Sequence, residues 1–164
     1  MKVALIGIVV CLSLSACVSG PSQAEEQQAA RLAAQSARAM LTKDFAAAQQ
    51  ADREAVRLNP TFAEAWVGLG MASMKLGQVS VAQDAYEHAL AEHRARQQRN
   101  PEDASQVLQE VTVLVLLGRH AEAGARLRDA RRLFPNDQTV TLFSQDFLNL
   151  MKGFKAFTIP PEAR

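Results

Sequence analysis

The sequence predicts an all-α fold, an α-solenoid of about three helix hairpins followed by a C-terminal capping helix. Three observations predict it. Alanine is abundant and aromatic residues make up only 5% of the chain, a composition that favours helix over sheet. No alternating β-branched segments bounded by turn signals are present. A set of helix-packing residues recurs after 34 residues, a period typical of helical repeats.

The first residues read as a targeting segment rather than as part of the fold. Lys2 supplies a positive start, and residues 3–14 form an apolar run too short for a permanent membrane span. Leu-Ser-Ala-Cys, ending at Cys17, resembles a bacterial lipobox. That resemblance implies cleavage before Cys17, lipidation of its thiol and, because Val18 follows, sorting to the outer membrane. An ordinary signal peptide with an incidental cysteine is the alternative.

The mature chain would then carry no free thiol, because Cys11 is removed and Cys17 is lipidated. Without Lys2, it has seventeen basic and seventeen acidic residues. A nucleic-acid-binding protein would have a basic excess, so we expect no nucleic-acid partner. The polar residues up to Gln28 read as a tether between lipid and domain.

The clearest helix hairpin begins at Ala63. Trp66 and Leu69 share one helical face, Gly70 and Ala82 let two helices approach closely, and Tyr86 fills the space between them. Gly77 can end the first helix in the left-handed conformation, and Ala89 adds another small contact. This arrangement resembles the tetratricopeptide repeat (TPR), Trp-x2-Leu-Gly-x2-Tyr…Ala-x3-Phe…Pro. It departs from that pattern in having Ser73 for the tyrosine, Tyr86 for the phenylalanine and no proline after Leu90.

Two weaker copies flank it. The first closes at Pro60 and has Leu32 at the tryptophan position, whereas the third closes at Pro135 and has Val107 there. The second copy is seven residues longer, about two helical turns, because its second helix continues to Asn100. The predicted units are a signal peptide (1–16), a lipidated tether (17–28), three repeats (29–60, 63–100 and 104–135), a capping helix (137–152) and a tail (153–164).

Asn136 is the predicted cap of the last helix. The tail after Gly153 is oddly apolar for a free end, with Phe154, Phe157 and Ile159. We expect that it either packs on the domain or is an interaction segment.

The residues needed for catalysis or metal binding do not form a recognisable motif. His88, His93 and His120 lie beside charged residues and read as solvated surface residues. The cluster Arg94, Arg96 and Arg99 reads as a solvated helix face, and the alternative is a contact with anionic lipid head groups or an acidic partner. No phosphate loop, nucleophile elbow or His-Glu-x-x-His is present. We therefore expect no enzymatic activity, no cofactor, no metal site and no small-molecule substrate. The alternative, from another functional class, is an enzyme whose active site is assembled from polar residues scattered along the sequence.

The TPR resemblance implies that the first helix of each repeat lines a concave groove. The groove residues would be Met40, Leu41, Val67, Met71, Met74, Lys75, Leu108, Thr112 and Val115. The Lys, Asn and Arg residues with which chaperone-adaptor TPRs hold a peptide carboxylate are missing. Methionines adapt to irregular apolar surfaces, so we expect a protein partner presenting an amphipathic helix or an extended apolar segment. The alternative is that the last helix or the tail covers this surface.

Small TPR lipoproteins of this layout resemble those that assist type IV or Tad pilus assembly and secretin placement. The resemblance implies a lipid-anchored scaffold on the periplasmic face of the outer membrane. Docking of peptidoglycan synthases or hydrolases is the alternative function.

Overall fold

The computed structural model of the protein describes residues 20–160, and the regular structure of these residues is entirely helical. The predicted signal peptide and Cys17 lie outside the described residues. The elements in chain order are α1 (Gln23–Leu41), α2 (Phe45–Leu58), α3 (Ala63–Lys75), α4 (Val79–Arg99), α5 (Ala104–Leu116), α6 (His120–Leu133), α7 (Gln138–Gly153) and a 3-10 turn (Lys155–Phe157).

The helices pack as three successive hairpins, α1 with α2, α3 with α4, and α5 with α6, and each hairpin also packs on the next. The last helix, α7, packs on α5 and α6 and covers the end of the stack. Such an array, in which each repeat buries its apolar face on its neighbour, is an α-solenoid. The predicted fold class is therefore confirmed.

The three hairpins share one turn geometry. Lys43, Gly77 and Gly118 each take a positive φ, of 61°, 73° and 70°. In each turn, the N–H of the residue after them donates to the carbonyl five residues earlier, at 2.9, 2.9 and 2.8 Å. This is the Schellman closure of a helix, which a left-handed residue makes possible. The first copy uses a lysine where the other two use glycine, so it keeps the turn at the cost of some backbone strain.

The second hairpin has the tightest helix contact. A Cβ atom on Gly70 would clash with the Tyr86 ring, and Tyr86 is fully buried. The indole of Trp66 stacks on His88 with ring centroids 4.4 Å apart, and its Nε1–H donates to the Pro60 carbonyl at 2.7 Å. The glycine is therefore required because the aromatic ring occupies the place of a side chain.

Two predicted boundaries differ from the structure. The expected tether reached Gln28, but α1 already begins at Gln23, capped by Ser22. Ser22 and Glu25 form a reciprocal capping box, which starts a helix even in a polar, glutamine-rich stretch. At the other end, the cap of α7 is Asp137 rather than Asn136: the Asp137 carboxylate accepts from the N–H of Val140 at 3.0 Å.

The extension of α4 is held to its neighbours by ion pairs, so the basic cluster predicted as a solvated helix face is exposed at Arg94 and Arg99 but also binds acidic side chains of this chain. Arg94 Nε lies 2.8 Å from the buried carboxylate of Glu110 on α5, which also pairs with Arg126 of α6 at 2.7 Å. Arg96 pairs with Glu64 of α3 at 2.9 Å. Arg99, at the end of α4, is exposed.

Candidate partner-binding groove

The first helices of the hairpins, α1, α3 and α5, line one side of the solenoid, and the chain's own C-terminal segment lies across part of it. We call residues 154–160 the C-terminal segment. Its 3-10 turn packs on α3. There the Lys75 ammonium lies 4.4 Å from the centroid of the Phe157 ring, a cation–π contact.

Two backbone groups of the C-terminal segment are hydrogen-bonded to the groove. The Tyr86 hydroxyl donates to the Phe157 carbonyl at 2.9 Å, and the Ile159 N–H donates to the Leu116 carbonyl at 2.8 Å. The Ile159 side chain is 1% exposed and belongs to the main core. Of the two alternatives for this apolar end, the structure therefore has the one in which it packs on the domain.

The groove between α1 and α3 is left open. It is a cavity of about 390 Å³, a size within the range of ligand-binding pockets. Its lining is mostly apolar or small, with two acidic side chains: Ala33, Ser36, Ala37, Met40, Asp52, Glu64, Val67, Gly68 and Met71. We call this cavity the open half-groove, and the part under the C-terminal segment the filled half-groove.

Five of the nine predicted groove residues lie in these two halves. Met40, Val67 and Met71 line the open half-groove. Met74 is half-buried and packs against the core that includes Ile159, while Lys75 contacts Phe157.

The other four predicted groove residues need correction. Leu108 and Val115 of α5 are buried in the core that also contains Val140 of α7 and Ile159, so they present no surface to a partner. Leu41 lies at the end of α1, 85% exposed, and does not line the cavity. Thr112 is half-buried and donates its hydroxyl to the Leu108 carbonyl of its own helix at 3.0 Å.

Sequence reasoning missed the polar pair at the floor of the open half-groove. Asp52 of α2 is 1% exposed, and its Oδ2 accepts a hydrogen bond from the Ser36 hydroxyl at 2.5 Å. Burial raises the pKa of Asp52 to about 7, although the Ser36 hydrogen bond acts in the opposite direction. A signal was available, because Asp52 follows Ser36 by the same sixteen residues that separate Gly70 from Tyr86.

The histidines are not all on the surface as predicted. His93 is buried, its Nδ1 lies 3.1 Å from Gln106 Oε1, and burial lowers its pKa. The two-turn extension of α4 brings His93 against the start of α5, which the local sequence could not indicate. His120 is exposed, and His88, also exposed, stacks on Trp66.

The described part of the chain has neither a metal-binding cluster nor a membrane-spanning helix. Within residues 20–160, no group of three or more His, Cys, Asp or Glu side chains is arranged to hold a metal ion. None of the helices described there has both the length and the hydropathy required to cross a membrane.

Comparisons with known proteins give a likeness in structure but none in sequence. No protein-family model matches the chain, and no curated protein sequence matches it. Among solved structures, the chain is similar to the TPR domain of Arabidopsis OM64, with a TM-score of 0.47 and 20% sequence identity over 79% of this chain and 98% of that one. What the groove of this chain can bind therefore follows from its own side chains.

Proposed function

We propose that the protein is a non-enzymatic scaffold that binds a segment of a partner protein in the open half-groove. It is anchored by a lipid on Cys17 to the periplasmic face of the outer membrane. There it assists the assembly or placement of an envelope machine such as a pilus or secretin. The lipobox-like Leu-Ser-Ala-Cys and the polar residues that follow it support the anchor and the location.

One observation carries the binding function. The filled half-groove already holds a short non-repeat segment, through one side-chain and one backbone hydrogen bond and the burial of Ile159. The adjacent open half-groove has a mostly apolar lining and no occupant among residues 20–160. A surface that accommodates a peptide segment in one half is suited to accept one in the other, since apolar burial and backbone hydrogen bonds are general to extended chains.

The binding function is tested with a charge placed in the cavity wall. Met71→Asp adds a carboxylate to the open half-groove, and we expect it to abolish capture of the partner in a cross-linking pull-down from the cell envelope. Leu142→Asp is the matched control, because Leu142 is exposed on α7 and outside the groove. Equal capture by both variants, with helical circular dichroism in each, would contradict the groove as the binding site.

The anchor is tested separately. Cys17→Ala removes the thiol that the acyl chains require, so we expect the protein to leave the membrane fraction while its helical content is unchanged. Lipid chains contribute about 0.8 kcal/mol per buried CH₂, so their loss should be decisive. Continued fractionation with membranes would reject the lipid anchor and leave the groove hypothesis standing.

A further inference from the structure

Equivalent positions of the first two hairpins differ in a way that creates the open half-groove. In the second hairpin, Gly70 faces the fully buried ring of Tyr86. In the first hairpin, the same two positions are Ser36 and Asp52, joined by a 2.5 Å hydrogen bond. An aspartate is much smaller than a tyrosine. The space that an aromatic ring fills in one hairpin is therefore partly vacant in the other, above a carboxyl group.

The carboxyl group of Asp52 uses one of its two oxygens in a hydrogen bond within the protein. Oδ2 accepts from Ser36, while Oδ1 accepts no hydrogen bond from any of the described side chains or backbone groups. Asp52 lines the cavity, and a Cβ atom on Gly68 would clash with its carboxyl oxygens. The glycine therefore leaves room for the carboxyl group beside α3. Oδ1 is not enclosed by protein and is open to the cavity, where a ligand can supply a donor.

The filled half-groove shows how a residue at the repeat position of Asp52 contacts a segment that lies over it. Tyr86, the counterpart of Asp52, reaches the Phe157 carbonyl with its hydroxyl at 2.9 Å. The residue at this position of the second helix therefore contacts the backbone of the segment in the groove. Tyrosine donates a hydrogen bond there, whereas the open Oδ1 of Asp52 accepts one, and a cationic ligand favours the ionised carboxylate, which only accepts. A ligand of the open half-groove would have to present a donor where the C-terminal segment presents a carbonyl.

The charges that line the cavity indicate which kind of hydrogen-bond donor the ligand would present. Its lining contains two acidic side chains, Asp52 and Glu64, and no basic one. Glu64 is already paired with Arg96 at 2.9 Å, but Asp52 has no cationic partner among the described residues. The walls are apolar, formed by residues such as Ala37, Met40 and Met71. A lysine side chain has a four-carbon apolar stem, which can pack on these walls, and a compact ammonium with three donors, which can reach the carboxyl group.

We propose that the open half-groove binds an extended segment of the partner that inserts a lysine side chain, its ammonium donating to Asp52 and its stem packing on the apolar walls. This inference rests on the proposed function and adds the chemistry by which the partner is recognised.

The test uses two fluorescent libraries of short peptides with degenerate apolar positions around a fixed central residue, either lysine or norleucine. Binding to the purified full chain is followed by fluorescence polarisation. We expect the lysine library to bind at least about tenfold more tightly than the norleucine library, because norleucine fills the cavity but leaves the Asp52 carboxylate without a cationic partner. Asp52→Asn should remove this difference, since the amide keeps the shape and the Ser36 hydrogen bond but carries no charge. Asp84→Asn, at an exposed position outside the cavity, should retain it.

The outcomes separate the two proposals. Equal binding of both libraries to the wild-type chain, or a lysine preference that survives Asp52→Asn, would overturn the lysine inference and leave the groove function intact. Binding of neither library would overturn both. Ala37→Phe gives an independent check, because it fills the cavity without replacing either member of the Ser36–Asp52 pair. This substitution should weaken the binding of both libraries. Unchanged binding would mean that the peptides bind elsewhere and would also overturn the lysine inference.

Discussion

Replacing Asp52 by asparagine should stabilise the protein, and by an amount that depends on pH. Burial raises the pKa of this carboxyl from its ordinary 3.8 to about 7. Each tenfold change in the ionisation equilibrium corresponds to about 1.4 kcal/mol, so ionising Asp52 in the folded protein costs roughly 4 kcal/mol more than in the unfolded chain. Asparagine has the same shape, accepts the Ser36 hydrogen bond and has no charge to desolvate.

Proton linkage gives the direction in which the stability difference between Asp52→Asn and wild type changes with pH. A carboxyl with a raised folded pKa favours the folded state below the unfolded pKa, and this contribution is lost as the pH rises from about 4 to about 7. The free energy of unfolding of Asp52→Asn, relative to wild type, should therefore increase by roughly 4 kcal/mol between pH 4 and pH 8. Above pH 7 it should change little more.

Urea unfolding followed by far-UV circular dichroism measures this difference at each pH. Asp84→Asn is the control, because Asp84 is exposed on α4, and it should alter stability by less than about 0.5 kcal/mol throughout. A difference between Asp52→Asn and wild type that stays constant from pH 4 to pH 8 would refute the reasoning. It would mean that the carboxyl is solvated rather than buried beneath the open half-groove.

Three further predictions concern the contacts and the turn that hold the helices around the groove. Tyr86→Phe should cost about 1 kcal/mol and accelerate amide hydrogen exchange around Phe157, because the carbonyl of that residue loses its donor; unchanged exchange would contradict the contact. Glu110→Gln should cost at least about 2 kcal/mol in urea unfolding, since it leaves Arg126 without its ion-pair partner and Arg94 with Glu122 alone, whereas replacing the exposed Glu122 should cost less than about 1 kcal/mol; equal effects would count against the buried ion pairs. Gly77→Ala should lower stability by about 1 kcal/mol, because its φ is 73°, and an unaffected melting temperature would argue against that turn.

The helical repeats could be predicted because their determinants are local. Small residues at Gly70 and Ala82, the turn at Gly77 and the proline at Pro60 are each readable within one hairpin. The start of α1 could also have been read, since Ser22 and Glu25 have the spacing of a capping box. The polar composition of that stretch outweighed this signal and led to the prediction of a tether.

The state of the groove depends on contacts distant in sequence. Leu108 and Val115 belong to a core completed by Ile159, more than forty residues later, and no local pattern indicates which surface an apolar tail will cover. The burial of His93 likewise depends on where the lengthened α4 meets α5. Asp52 is different. Its position in the repeat was readable, but a carboxylate in place of an aromatic ring becomes informative only when its burial and its neighbours are known.

Site-specific photo-cross-linking in the cell envelope tests the central claim most directly. A photoreactive amino acid in place of Met71 lies in the wall of the open half-groove, and one in place of Ala91 lies on the exposed surface of α4. We expect a discrete adduct with a partner protein from position 71 and none from position 91. No adduct from position 71, or the same adduct from both positions, would contradict a scaffold that binds its partner in this groove.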